Sequence, residues 1–159
     1  GQTIVRSSKI RNLIQEGEVE VASRLLGRYY PIIGKVVEGA KRGKTLGFPT
    51  ANLEISDELY PKTGVYAVEV VWHQQPFNGL ADVGLNPTFS SQIGKREEQF
   101  SLEVHILNFN QEIYCEEIEV HFKKRIRDEV RFESPSLLIE QIKKDIRWAQ
   151  ENVFGKMES

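Results

Sequence analysis

Apolar and polar residues alternate with a period of two along much of the chain between residues 32 and 126. This period is typical of β-strands that are buried on one face. It predicts a short strand at Ala51–Ile55 and five longer ones: Ile32–Val37, Val65–Trp72, Phe77–Val83, Phe100–Leu107 and Ile118–Ile126. Turn-forming residues lie at Gln74-Gln75-Pro76, Asn86-Pro87 and Asn108–Gln111. Short strands joined in this way favour an antiparallel sheet or a small barrel.

The pattern changes to helical spacing at the N-terminal end of the chain. Apolar residues from Ser7 to Leu26 predict a short helical leader. Gly17 interrupts its periodicity and Gly27 ends it. Ser7 and Ser8 are candidates for the N-cap, because a serine hydroxyl can accept a hydrogen bond from a free backbone N–H.

A second helical pattern runs from Ser136 to about Phe154. Ser134 is expected to cap this helix, Pro135 fits its first turn, and Gly155 is a natural stop. The expected fold is therefore mainly β. It is a small closed antiparallel barrel of about six strands with Greek-key-like connections, a long C-terminal α-helix and a short helical leader.

Composition places the chain among ordinary globular domains. It has 159 residues, of which 40% are hydrophobic and 28% charged, with a net charge of −2. This balance argues against a general nucleic-acid binder, and neither a membrane-spanning run nor a signal peptide is visible. The single cysteine, Cys115, fits a cytoplasmic protein. Residues 1–50 nevertheless carry nine Lys/Arg against four Asp/Glu, which indicates a local anion site.

Glycine and basic residues are concentrated between residues 34 and 52, where four of each occur. Glycine lets backbone N–H groups turn toward an anion, so a phosphate site is one interpretation, and a flexible basic hairpin loop is an equally weighted alternative. The stretch Gly39–Thr45 resembles a Walker A loop but has three residues between its glycines instead of four. Pro49 also disfavours the helix that such a loop requires.

Thr50 and Asn52 stand two residues apart, so on an extended strand they lie on the same face. A hydroxyl and an amide carbonyl are hard oxygen ligands that suit Mg²⁺ together with phosphate oxygens. On spacing alone, a turn or an ordinary surface strand pair is the more common interpretation. The three histidines, His73, His105 and His121, show no zinc-ligand spacing.

The segment Leu46-Gly47-Phe48-Pro49-Thr50-Ala51-Asn52-Leu53 resembles the signature of the riboflavin kinase family. Further matches follow in the family's order, at Thr63–Tyr66, Val83–Phe89, Leu102–Leu107 and Ile126–Glu129. The resemblance covers about Arg28 to Phe154. It implies a phosphotransferase that makes FMN from riboflavin and MgATP.

The resemblance also implies roles for individual residues. Glu103 would be the catalytic base and Thr50 and Asn52 the Mg²⁺ ligands. ATP would be bound by Gly39, Lys44, Gly47, Pro49, Thr50, Asn52 and Tyr114. The flavin would be bound by Arg127, Glu129 and Phe132. Without the resemblance, Glu103 would be one of several polar residues on a solvated strand face, and the ring of Phe132 fits a core position equally well.

The leader carries a second resemblance, to the junction of bacterial bifunctional riboflavin kinase/FAD synthetases. Val5–Arg11 is similar to the motif that ends their adenylyltransferase domain, although Arg6 and Ser8 depart from it. This predicts a remnant or linker at residues 1–27 and a kinase domain at residues 28–159. The partner in the full-length chain would be an adenylyltransferase domain, and FAD synthetase activity is expected to be absent here.

Two rival functions remain open from the sequence. One is a non-catalytic flavin- or nucleotide-binding barrel, which would lack the metal pair or the base. The other is a small barrel that binds RNA or protein, which would interleave aromatic and basic residues on its strands. Since the basic residues cluster in one glycine-rich loop, we expect small-molecule substrates, with neither nucleic acid nor membrane as a partner.

Overall fold

The computed structural model describes residues 2–37, 50–55, 59–90, 95–109 and 111–154. Two helices, α1 (Gln2–Gln15) and α2 (Val19–Leu26), come first. The strands that follow are β1 (Tyr30–Val37), β2 (Ala51–Glu54), β3 (Gly64–Trp72), β4 (Gln75–Ser90), β5 (Lys95–Ile106) and β6 (Glu117–Arg127). Helix α3 (Pro135–Ala149) then continues into a π-helical turn at Gln150–Phe154. None of the helices in the described ranges is long and apolar enough to cross a membrane.

The strands close into a barrel in the order β1-β2-β5-β4-β3-β6, and neighbouring strands are antiparallel. Strands β3, β4 and β5 are consecutive neighbours, and β6 returns to lie beside β3, which is a Greek-key arrangement. The structure thus confirms the predicted fold class, a closed antiparallel barrel with a helical leader and a long C-terminal helix.

The barrel interior is filled by side chains from alternate strand positions. Tyr66 and Phe122 are fully buried there and meet edge to face, with ring centroids 5.2 Å apart. The Tyr66 hydroxyl donates to the backbone oxygen of Lys62 at 2.5 Å, so its polar end is satisfied. Burial raises the pKa of Tyr66 to about 12.

The leader shares this interior. Its two helices add three buried residues to the same hydrophobic cluster as the strands: Ile14, Val19 and Ala22. Gly17 lies between the two helices and has a φ of +85, in the left-handed region that glycine tolerates. It thus breaks the helical leader, as predicted. The leader therefore packs against the barrel through a common hydrophobic core. The domain boundary at residue 27 stays a prediction.

Helix α3 packs on the outside of the barrel. Ala149 and Phe154 bury themselves against Ala67 of β3 and Leu80 of β4, two residues that face each other across those strands. The Ser134 hydroxyl accepts from the backbone N–H of Leu137, which confirms the predicted cap. Gly155, the predicted stop, lies outside the described residues.

Three local predictions differ from the structure. Ser7 and Ser8 do not cap the leader, because α1 already begins at Gln2 and both serines lie inside it as exposed residues. The first turn lies one residue earlier in the chain than the predicted Gln74-Gln75-Pro76. It is made by His73 and Gln74 at φ 49 and 66, and β4 resumes at Gln75.

The turn predicted at Asn86-Pro87 is also wrong, since β4 runs on to Ser90 with Pro87 opposite Glu98 of β5. Proline cannot donate a ladder hydrogen bond and is tolerated where a strand has a free edge. Pairing with β3 ends at Val83, so from Gly84 onward β4 is paired on one side only, within the described residues.

Phe122→Ala should lower the free energy of unfolding by about 3–5 kcal/mol, because it empties a fully buried site against Tyr66. Urea unfolding followed by circular dichroism measures this loss. Leu137→Ala on the outside of α3, where Leu137 is 49% exposed, is the matched control and should cost less than about 1 kcal/mol. Equal losses in the two variants would contradict this assignment of the core.

Candidate functional site

A row of polar side chains crosses the outside of the barrel on three adjacent strands. Asn52 of β2 lies opposite Glu103 of β5, and Glu103 lies opposite Asp82 of β4. Directly opposed residues have Cβ atoms about 5 Å apart, so the three side chains are neighbours. All three are partly buried, whereas the residues on either side of each point into the core. Two of the three, Asn52 and Glu103, are predicted site residues.

Thr50 precedes β2 and carries an unsatisfied polar atom. Its Oγ1 is buried and has no hydrogen-bond partner among the residues that the structure describes. A buried hydroxyl without a partner costs free energy, so such atoms often mark a position that another molecule completes. The oxygens of Thr50 and Asn52 are the hard ligands that Mg²⁺ prefers, and the unpaired Oγ1 fits a bound cation or a substrate group.

Asp82 was not anticipated as a site residue. Burial raises its pKa to about 8, helped by a hydrogen bond to Glu129 and by the charges of Glu129 and Glu103, while Arg127 opposes the shift. The Asp82 Oδ1 is buried and finds no hydrogen-bond partner within the described part of the chain. An acid between two buried positions, Ala81 and Val83, is the only sequence signal that could have singled it out.

Gly84 makes room for the carboxylate of Glu129. A Cβ at this position would lie 2.7 Å from Glu129 Oε2 and 3.0 Å from the hydroxyl of Ser101. Any side chain at this position would displace the carboxylate of Glu129. Because residue 84 is glycine, Glu129 can lie over β4 and next to Asp82. Three carboxylates, from Asp82, Glu103 and Glu129, therefore converge on this side of the barrel.

Arg127 stands at the end of β6 and holds α3 in place. Its Nε donates to Asp145 Oδ1 and Oδ2 at 3.1 and 3.0 Å, and its Nη2 donates to Oδ2 at 2.9 Å. Asp145 is 2% exposed and also accepts from Gln141 Nε2 at 3.0 Å. The guanidinium carbon of Arg127 lies 5.7 Å from the ring centroid of Phe132. The predicted flavin residues thus lie between the end of β6 and α3, with Arg127 in contact with the ring of Phe132 and Glu129 beside Gly84.

Tyr114 lies on the connection between β5 and β6 and is 45% exposed. Cys115, its neighbour, donates its backbone N–H to Val36 near the end of β1 at 2.8 Å. The next residue, Val37, pairs with Asn52. The backbone next to Tyr114 is therefore attached to the end of β1 that pairs with Asn52.

The predicted ATP contacts in the glycine-rich loop are Gly39, Lys44, Gly47 and Pro49. They lie outside the described residues, which stop at Val37 and resume at Thr50.

Comparison with known proteins adds independent information. A family model described as riboflavin kinase matches residues 26–153. A bifunctional riboflavin kinase/FMN adenylyltransferase from Bacillus subtilis is 46% identical over 89% of this chain and 44% of that protein. The protein of the same name from Escherichia coli strain K12 is 38% identical over 98% of this chain and 48% of its own length. The chain thus spans less than half the length of these relatives.

Two solved structures share the fold. A chain from Streptococcus pneumoniae, described as a macrolide-efflux protein, superposes with a TM-score of 0.83 at 41% identity, covering 92% of this chain and 46% of that one. A riboflavin kinase from Trypanosoma brucei superposes with a TM-score of 0.52 at 20% identity, covering 76% of this chain and 77% of that one. At that identity the second comparison speaks for the fold alone.

Asp82→Asn should stabilise the protein relative to the wild type at pH 8 and much less at pH 4. The unfolded chain loses the Asp82 proton near 3.8, whereas the folded protein keeps it up to about 8. Asp82 therefore weakens folding progressively as the pH rises through this window. We expect the advantage of the variant in the free energy of unfolding to grow by several kcal/mol between the two pH values, since each pH unit in this window is worth up to about 1.4 kcal/mol, as measured by urea unfolding. The exposed Glu133→Gln is the control, and a gain independent of pH would contradict the assignment.

Proposed function

This chain belongs to the riboflavin kinase family, and we propose that it transfers the γ-phosphoryl group of ATP to the terminal ribityl hydroxyl of riboflavin, producing FMN and ADP. The observation that carries the proposal is the row of Asn52, Glu103 and Asp82 beside the unsatisfied hydroxyl of Thr50. Oxygen ligands for a cation and a carboxylate base are the groups that such a transfer requires.

Glu103 is proposed as the general base. Its position in the row, between Asn52 and Asp82, puts the base next to both the proposed phosphate side and the proposed flavin side. A carboxylate there can accept the proton of the ribityl hydroxyl as the bond from oxygen to phosphorus forms. Because Glu103 is only partly buried, its carboxylate remains reachable by a substrate.

Thr50 and Asn52 are proposed to hold the Mg²⁺ that accompanies ATP. When bound, this ion neutralises charge on the phosphate oxygens. The unpaired Thr50 Oγ1 supports the proposal, since a cation would complete its missing interaction. The remaining ATP contacts are proposed at Gly39, Lys44, Gly47, Pro49 and Tyr114.

The flavin is proposed to bind beside the start of α3, against Arg127, Glu129 and Phe132. Support comes from the contact between the Arg127 guanidinium and the Phe132 ring, and from the ion pair that fixes Arg127 to Asp145. Arg127 is thus held in one place by the helix, which favours a preformed binding surface over a flexible one.

The FMN adenylyltransferase activity named for the relatives is proposed to reside outside this chain, in a domain that would be its partner in a longer protein. The match to a kinase family model over residues 26–153 supports this division of labour. We also propose a cytoplasmic location, on the strength of the single cysteine.

Incubated with riboflavin, ATP and Mg²⁺, the chain should produce FMN and no FAD, as separated by chromatography. Glu103→Gln should lower kcat by about 10²–10⁴-fold, the usual contribution of a general base, with an unchanged fold by circular dichroism. Glu117→Gln, an exposed glutamate at the start of β6, is the matched control and should keep full activity. Absence of FMN from the wild-type reaction would instead favour the non-catalytic binding barrel.

Thr50→Val should raise the Mg²⁺ concentration needed for half-maximal rate by about tenfold, because an isosteric methyl group replaces a proposed ligand. The same change should leave the free energy of unfolding without substrates equal or higher, since it removes an unsatisfied buried hydroxyl. Thr63→Val is the control for loss of a threonine hydroxyl. An unaltered Mg²⁺ dependence would exclude Thr50 as a ligand.

A further inference from the structure

A second concave surface lies between α2, β6 and the π-helical turn, and shares no residue with the site above. This basic groove encloses about 620 Å³ and is lined by Arg24, Arg28, Tyr29, Lys123 and Lys124, among others. A volume of this size falls in the range of small-molecule binding sites.

The charge of the groove is opposite to that of the chain. Four cationic side chains line it against one carboxylate, Glu20, which gives a net charge of +3 with His121 neutral. The whole chain carries −2. Glu20 is paired with Lys124 at 3.5 Å, and both side chains are more than 40% exposed, so this pair contributes little to stability. The local field therefore attracts anions.

Lys123 lines the groove and is more deeply buried than is usual for a lysine. It is only 8% exposed, and it makes no hydrogen bond or ion pair with any residue that the structure describes. Its Nζ lies 5.4 Å from the ring centroid of Tyr29 and 5.6 Å from that of Phe154. Two cation–π contacts stabilise the charge. Nζ is not among the buried side-chain atoms that lack a partner, so the ammonium reaches solvent while the aliphatic stem is buried, and its N–H donors have no acceptor among the described residues.

Ordinary structural roles account for only part of this arrangement. Arg24 is in the last turn of α2, where a positive charge stabilises a helix, and Lys124 has its surface pair. Neither reason applies to Arg28 or Lys123. An ammonium that reaches solvent within a concave, positively charged surface is accessible to a small anion.

We infer that the basic groove binds a small multivalent anion of the phosphate class, with Lys123 and Arg28 as its principal contacts. Arg28 offers a planar fork of donors that matches phosphate oxygens, and Lys123 offers a point charge below it. Tyr29 is 40% exposed at the rim, so its ring could also contact an aromatic group attached to the phosphate.

Backbone amide NMR on the whole chain tests this inference. Titration with inorganic pyrophosphate at low salt should give saturable shifts at residues 24–29 and 121–124, separate from any shifts near Thr50. A parallel titration with FMN distinguishes a free polyphosphate from a phosphate carried by an aromatic ligand, according to which probe binds more tightly in the groove. Lack of saturable shifts there with both probes would overturn the inference.

Two variants make the test specific. Lys123→Met keeps the aliphatic contacts with the two rings and should weaken pyrophosphate binding at least about tenfold. Its free energy of unfolding should stay within about 1–2 kcal/mol of the wild type, because the loss is limited to two cation–π contacts. Arg28→Gln, at an exposed position, should weaken binding without affecting folding.

Lys143→Met on the exposed side of α3 is the control for the loss of one positive charge and should bind as the wild type does. Equal weakening by Lys143→Met, or unchanged binding in Lys123→Met and Arg28→Gln, would show general screening and overturn the inference. FMN formation should be unchanged in all three variants, so this result is independent of whether the kinase proposal holds.

Discussion

Antiparallel pairing of β5 with β2 on one side and with β4 on the other is the constraint on which the candidate site depends. The ladder puts Asn52, Glu103 and Asp82 in one line, although they come from distant parts of the sequence. A slip of one residue on any of these strands would send its polar side chain into the core and an apolar one outward. Closure of the barrel opposes such a slip, because each strand is held by two neighbours. The same hydrogen bonds that stabilise the fold therefore set the geometry of the site.

The outer face of the barrel carries both the packing surface for α3 and the candidate site. The end of α3 and the π-helical turn bury Ala67 and Leu80, whereas Asn52, Glu103 and Asp82 lie outside this cluster. Arg127 and Asp145 set this division, since their ion pair joins the end of β6 to the middle of the helix. Val65 connects the two regions through the sheet, because it pairs with Arg127 on β6 and with Asp82 on β4. A buried pair of this kind destabilises the fold strongly when one partner is lost, which argues for a fixed position of the helix.

Unsatisfied polar atoms are concentrated where the site lies. Three buried side-chain atoms lack hydrogen-bond partners in the described part of the chain, and two of them are Thr50 Oγ1 and Asp82 Oδ1. Folded proteins pair nearly all such atoms, so their presence here is a local loss of stability. Asp82 adds to that loss, since its proton is retained far above the ordinary range of an aspartate.

Much of this protein follows from the sequence alone, because it depends on local periodicity and short motifs. Alternation with a period of two predicted all six strands, and Ser134 with Pro135 predicted the start of α3. One eight-residue segment, Leu46–Leu53, indicated the family. Only the tertiary structure decided the features that rest on partners distant in sequence. Pro87 remains inside β4 because β3 stops pairing at Val83, which no turn rule can register. Asp82 is a polar residue on a strand until the ladder puts it beside Glu103 and the empty space at Gly84 admits Glu129. Spacing along the sequence indicates which residues share a face of one strand. Burial, protonation state and neighbouring charges on other strands are determined only when the strands assemble.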